Sequence, residues 1–274
     1  KSVQFEKDRP FSISIEAFNY PEFLQKTSSG DVIRINDGMD ILAINEIRSD
    51  SVVFTANRSG TVEVGKGLHL DGNSYRPGTE SLSQRDYDLI ELATKHNVDY
   101  VGLSFVYSLE DIQHVNECLG DANTVCIPKI EAKESIRGLY EIVQCCEIVI
   151  IDRGDLAGEI GLNNIWKAQR DIISLAKMCS TKVVVATQIL SSMTTRPLPS
   201  IAEVDSLYSL LDLGIDGIQL SEETASGKYG KRAVSFLRET VNDYKLYKRS
   251  SSQKKGAVIW LMGPTASGKT TIGK

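Results

Sequence analysis

A chain of 274 residues, 41% hydrophobic and 24% charged, has the balance of a globular protein and the length for one large domain or two smaller ones. Its net charge of −5 offers nucleic acid no electrostatic footing, and no apolar run approaches the length of a membrane span. Five cysteines without paired spacing, and three histidines that stand apart in sequence, argue against a disulfide framework or a zinc site and suit a reducing cytoplasm.

Residues 1–79 are rich in strand signals. Residues 11–15 and 32–36 alternate apolar and polar side chains, as half-buried strands do, and 41–47 and 52–56 add two more. Asn36-Asp37-Gly38 is a turn signal. The segment is expected to fold as a small antiparallel β domain.

From residue 80 to about 246 the rhythm becomes helix and strand in alternation. Ser83 reads as the cap of a helix carrying Tyr87, Leu89, Ile90 and Leu92. Strands are expected at 99–105, 124–130, 148–151, 182–186 and 217–220, with helices near 108–118, 132–144, 163–179, 200–213 and 230–245. Val- and Ile-rich runs between amphipathic helices indicate a parallel sheet covered on both faces. Five such units in order read as five-eighths of a (β/α)8 barrel. A doubly wound sheet is the alternative, but no glycine-rich phosphate loop follows the first strand, and polar clusters recur after every strand.

Residues 247–256 read as a solvated linker. The apolar run 257–262 then leads into Gly263-Pro-Thr-Ala-Ser-Gly268-Lys269-Thr270, which fits a P-loop with a strand before it. Its backbone N–H groups would cradle phosphates, Lys269 would reach the β/γ-phosphates, and Thr270 would sit on Mg²⁺. The chain starts at Lys1 and stops inside this loop's helix at Lys274, so residues 257–274 are expected to be the start of a truncated P-loop kinase domain, and the whole an internal piece of a longer protein.

The strand ends carry the chemistry. In a parallel β/α barrel the C-terminal edge of the strands is the catalytic face. Lys129 and Glu131 alternate along one strand and so share a face, and Asp155 follows the next strand. Glu131 and Asp155 are candidate Mg²⁺ ligands. Lys129 beside them suits charge developing on a phosphoryl group or an enolate. An ordinary ion pair, such as Lys129 with Asp155, would use the same residues. Gly154 and Asp155 offer backbone N–H groups to a ligand, and Thr187 and Gln188 put a hydroxyl and an amide on the same rim. Ser221-Glu222-Glu223-Thr224 closes the fifth strand.

From about residue 30 to 241 the chain resembles pyruvate kinase, in that family's order. Lys129-Ile-Glu131, Arg153-Gly-Asp155-Leu, Ala186-Thr187-Gln188-Ile-Leu and Ser221-Glu-Glu-Thr-Ala225 look like its strand-end motifs. Ser104-Phe105 resembles its fourth-strand motif, and Pro197-x-Pro199-Ser-x-Ala-Glu203 the segment before the eighth strand. The β-rich start looks like the mobile lid over the nucleotide, with Asp37-Gly38 and Gly65-Lys66-Gly67 in family-like places.

The resemblance implies phosphoryl transfer between phosphoenolpyruvate and ADP in the cytoplasm, with Mg²⁺ or Mn²⁺ and K⁺ required. It implies that Lys129 stabilises the transferring group and the enolate. Glu131 and Asp155 would hold the divalent metal, and Gly154, Asp155 and Thr187 the substrate carboxylate. Lys66 would contact the nucleotide from the lid, with Ser104, Arg153, Gln188 and Ser221 in support. A homo-oligomeric full-length protein is implied too. The family's first three barrel strands, which carry an arginine and the potassium ligands, are absent from the sequence, so this chain alone is expected to be inactive.

Tyr107 stands where an arginine is usual, Glu222 and Ala157 replace glycines, and Pro128 precedes the key lysine inside a strand. Two further readings stay open: a Mg²⁺-dependent barrel aldolase or lyase acting on a pyruvate-type enolate, and a degenerate ligand-binding barrel that regulates a fused kinase. The P-loop with its preceding strand resembles adenylylsulfate kinase, and its core also resembles tRNA dimethylallyltransferase.

Overall fold

The structure, a computed structural model, describes residues 2–18, 24–25, 27–36, 38–63, 68–70 and 82–253. Lys66 and residues 254–274, with Gly263, Gly268, Lys269 and Thr270, lie outside the described residues.

The first unit is antiparallel, as its alternation predicts. Strands β1 (Val3–Phe5), β2 (Pro10–Ser14), β3 (Val32–Ile35), β4 (Asp40–Ile47), β5 (Ser51–Ala56), β6 (Gly60–Val62) and β7 (His69–Leu70) follow in order. A five-stranded sheet runs β2-β5-β4-β3-β7, and β1 pairs with β6. Inward positions such as Ile33, Ile35, Leu42, Ile44, Val52 and Phe54 form its core, and burying such side chains drives the closure. Among the described residues β7, the last strand of this unit, pairs only with β3.

The second unit has a parallel sheet whose strands lie strictly in chain order: β8 (Tyr100–Leu103), β9 (Val125–Ile130), β10 (Ile148–Asp152), β11 (Lys182–Ala186) and β12 (Gly217–Gln219). Nowhere does the order reverse, as it would in a doubly wound sheet. Around it lie α1 (Gln84–Lys95), α2 (Leu109–Leu119), α3 (Lys133–Arg137), α4 (Leu139–Gln144), α5 (Arg153–Ile160), α6 (Ile165–Met178), α7 (Ile201–Leu213), α8 (Glu222–Ala225) and α9 (Gly230–Gln253). Val149, Ile151, Val183 and Val185 of the sheet pack with Ile142, Ile172 and Leu207 of the helices. Pro128 does sit inside β9, opposite Leu103 of β8, where it withholds one ladder donor.

Three elements differ from expectation. The helix expected near 132–144 is two, divided at Gly138, which ends α3 and starts α4. Residues 153–160, read as part of a strand-end cluster, form α5. Helix α9 runs on to Gln253, through most of the stretch read as a linker. It is held there by Tyr244, whose hydroxyl donates to the Leu211 carbonyl, and by a 2.8 Å ion pair between Lys248 and Asp212. Among the described residues no helix is long and apolar enough to cross a membrane.

Candidate functional site

Strand β9 delivers the first two groups. Alternation turns Ile130 into the core and leaves Lys129 and Glu131 together at the strand's end. Parallel pairing matches Ile150 of β10 to Lys129 and Ile151 to Ile130, so one further step brings Asp152 beside Glu131. The Lys129 ammonium lies 2.9 Å from Glu131 Oε2 and 2.9 Å from Asp152 Oδ2, with Ser104 Oγ at 3.5 Å. The lysine's partners are therefore Glu131 and Asp152, not Asp155.

Glu131 is fully buried. Its Oε1 accepts from the Phe105 N–H at 2.6 Å, while Oε2 has no hydrogen bond of good geometry and meets only the Lys129 charge. Burial pushes the Glu131 carboxyl up to about 7, against the pull of Lys129. Burial also works against the Lys129 ammonium, but Glu131 and Asp152 outweigh it and hold the lysine above its ordinary value.

Strand β11 contributes the opposite wall. Thr187 Oγ1 lies 3.0 Å from Asp152 Oδ1 and accepts from the Gly154 N–H at 2.8 Å. Phe105, Thr187 and Gln188 all have positive φ, at 51°, 62° and 51°, although none is glycine. Such strain persists only where surroundings enforce it, and it clusters at functional sites. Arg153, half-buried and with its guanidinium's affinity for the proton lowered by desolvation, donates to the carbonyls of Thr187 and Gln188. It fixes the turn after β11. Ser221 likewise donates its backbone N–H to Glu223 Oε2 at 2.8 Å, while Glu223 Oε1 accepts from Leu190 N–H at 3.0 Å. Glu223 thus ties the ends of β11 and β12 together.

Helix α5 begins directly after Asp152 and places Gly154 and Asp155 in its first turn. Glu131, Asp152 and Asp155 each offer an oxygen within 4.8 Å of the other two. Carboxylate oxygens, among them the buried Glu131 Oε2 that meets the Lys129 ammonium without a hydrogen bond of good geometry, suit a hard divalent cation such as Mg²⁺ or Mn²⁺.

His69, expected to stand apart, reaches this helix from β7. Its Nδ1 lies 2.8 Å from Glu159 Oε1 and its Nε2 3.6 Å from Asp155 Oδ1, the latter beyond a hydrogen bond. Burial works against a charge on His69, yet Asp155 and Glu159 outweigh it and raise the imidazole to about 9.

The structure therefore brings together Lys129, Glu131, Asp155, Gly154 and Thr187, with Ser104 at the edge. Arg153, Gln188 and Ser221 shape the loops around them through backbone groups. Sequence reasoning missed Asp152, Glu159 and His69, and read Glu223 only as part of the cluster that closes the fifth strand. A strand extended by one residue, with its parallel register drawn, would have found Asp152; the roles of the other three depend on docking between elements distant in sequence.

The family model described as pyruvate kinase, barrel domain, matches residues 7–234. The chain is similar to a pyruvate kinase of Thermococcus litoralis, 32% identical over 241 residues, covering 87% of this chain and 50% of the relative. It is 33% identical over 220 residues to one of Pyrobaculum aerophilum, covering 78% and 47%. A chloroplastic pyruvate kinase isozyme G of Nicotiana tabacum matches at 28% over 270 residues, covering 94% and 48%. The chain spans about half the length of the curated relatives it matches.

Proposed function

The chain belongs to the pyruvate kinase family, and from that premise we propose that it carries the catalytic rim of an enzyme moving a phosphoryl group between phosphoenolpyruvate and ADP. One observation carries the reading: an ammonium held 2.9 Å from two carboxylates at the ends of adjacent parallel strands, within an all-oxygen cation cluster. The in-order sheet supports five units of a (β/α)8 barrel, with the first unit as a lid.

In the forward direction the P–O bond of the enol phosphate breaks and a terminal oxygen of ADP takes the phosphoryl group. The enolate left behind gains a proton at carbon to become pyruvate. Lys129 would stay charged throughout and face the oxygen on which negative charge grows. Gly154 and Asp155, in the first turn of α5, would turn backbone N–H groups, Gly154's exchanging Thr187 Oγ1 for the ligand, and the positive helix end towards the substrate carboxylate. Thr187 would position that carboxylate from the other side. Glu131 and Asp155, joined here by Asp152, would hold Mg²⁺ or Mn²⁺, which when bound offsets phosphate charge. Closure of the lid would exclude water. Lys66 would contact the nucleotide from the lid.

Residues 263–270 are read as a second nucleotide site, of a fused small-molecule kinase resembling adenylylsulfate kinase; its support is the motif Gly-x-x-x-x-Gly-Lys-Thr alone. The test of the main reading is a coupled pyruvate assay on the full-length gene product. Lys129→Met is expected to lose more than roughly a hundredfold in rate, since one electrostatic donor is commonly worth about 3–4 kcal/mol. Activity within about twofold of wild type would remove Lys129 from the mechanism.

A further inference from the structure

We propose that His69 is a positioning residue of the cation site, coupling the docking of the lid to the placement of Asp155; this rests on Asp155 being a cation ligand. The argument starts from α5. Its first turn carries Gly154 and Asp155, and its remaining length is the surface on which the lid rests. A Cβ on Gly38, in the turn between β3 and β4, would lie 3.3 Å from the Ala157 carbonyl oxygen. A Cβ on Gly161, just past the helix, would lie 3.0 Å from the Arg34 guanidinium of β3. Between these contacts His69 of β7 enters over Gly158, so closely that a Cβ there would stand 2.4 Å from its ring.

The imidazole is 4% exposed, and what it touches is the site. Nδ1 meets Glu159 Oε1 at 2.8 Å, and the other Glu159 oxygen accepts from the Lys133 N–H at 3.4 Å, so the lid, α5 and the start of α3 are joined through one carboxylate. Nε2 stands 3.6 Å from Asp155 Oδ1. On its other side the ring lies 6.4 Å, centroid to centroid, from Phe105, whose N–H fixes Glu131 Oε1. His69 therefore borders two of the three cation-cluster carboxylates, one directly and one through Phe105. A residue of the lid that sets where these groups stand makes cation affinity depend on lid docking. By reciprocity, cation binding then favours the docked lid.

Manganese binding, followed by electron paramagnetic resonance titration of the purified protein, reads this without turnover. His69→Ala is expected to weaken Mn²⁺ about five- to tenfold, the low end of usual coupling between sites, and to lower hydrogen-exchange protection along α5. Gly158→Ala changes no polar group of the site but fills the space the imidazole needs, so it should reproduce both effects. It carries the test alone if His69→Ala folds poorly. The double variant should bind no more weakly than the weaker single one, because both act on one contact. Glu131→Gln tests the cation site itself and should lose Mn²⁺. If Glu131→Gln loses Mn²⁺ while His69→Ala and Gly158→Ala bind within about twofold of wild type, the coupling is wrong and the cation site stands. If Glu131→Gln binds as wild type, the cation reading falls and takes the coupling with it.

Discussion

At the scale of single residues, the site is a contest over one positive charge. Two carboxylates share the Lys129 ammonium, and a third, on Asp155, stands in the same cluster. Lys129 meets two of these carboxylates and His69 borders the third at 3.6 Å, and a divalent cation would offset the negative charge that remains. Asp152 is thus more than a partner for lysine. Asp152→Asn keeps the side chain's shape and an acceptor for Thr187 but removes one charged ligand. It should weaken Mn²⁺ by about tenfold or more, since affinity in all-oxygen sites follows the count of charged ligands; affinity equal to wild type would make Asp152 a counter-ion of Lys129 alone. The residue also marks how far a sequence can be read. Lys129 and Glu131 were legible because alternation along one strand puts them on one face. Asp152 was not, because the apolar run that marks the strand ends at Ile151. His69 and Glu159 lie 90 positions apart, and no local pattern links them.

At the scale of elements, the strands were legible because buried parallel strands are written in Val and Ile. The helices were legible where caps are explicit, as with Ser83 and Asp86. Helix α5 was hidden by its glycines, Gly154 and Gly158, which weaken any helical signal, while the missing Cβ at Gly158 leaves room for the His69 ring. Helix α7 shows an element serving the rim. Ser200 and Glu203 form a capping box, and Glu203 also accepts from the Ser192 N–H at 2.7 Å, in the turn that follows the Thr187 loop. Burial alone would raise the Glu203 carboxyl, but hydrogen bonds from Ser192 and Ser200 outweigh it and hold it below the usual glutamate range. A folded-state value below the unfolded one means stability that is present above the unfolded value and lost as pH falls through the folded value. Glu203→Ala should therefore cost about 1 kcal/mol at neutral pH, the usual worth of a cap, and the gap from wild type should narrow on acidification. Urea unfolding of both proteins at neutral and acidic pH measures it; a gap independent of pH would assign the loss to packing.

At the scale of the molecule, two hydrophobic cores are joined at a small polar seam. That seam is where α5 meets β7, and it contains the cation cluster's Asp155 together with Glu159 and His69. An antiparallel sheet and a parallel one were legible from two rhythms in the sequence, because period-2 and period-3.6 patterns need different packing partners. How the units meet was not, since docking depends on glycines without a Cβ and on one buried imidazole. The consequence is thermodynamic. A ligand that binds only the folded protein stabilises it by RT ln(1 + [L]/Kd), about 2.7 kcal/mol at a hundredfold excess over Kd. The proposed ligands come from β9, β10 and the first turn of α5, so they exist as a set only when sheet and helix are both formed. Saturating Mg²⁺ should then raise the melting temperature by about 5 °C or more over protein in chelator, at roughly 2–4 °C per kcal/mol for a unit of this size. Asp155→Asn should lose most of that rise while changing the chelator value little, because Asp155 is the most exposed of the three carboxylates. Calorimetry with and without Mg²⁺ decides it. A full rise that survives Asp155→Asn would put the stabilising cation elsewhere on the molecule.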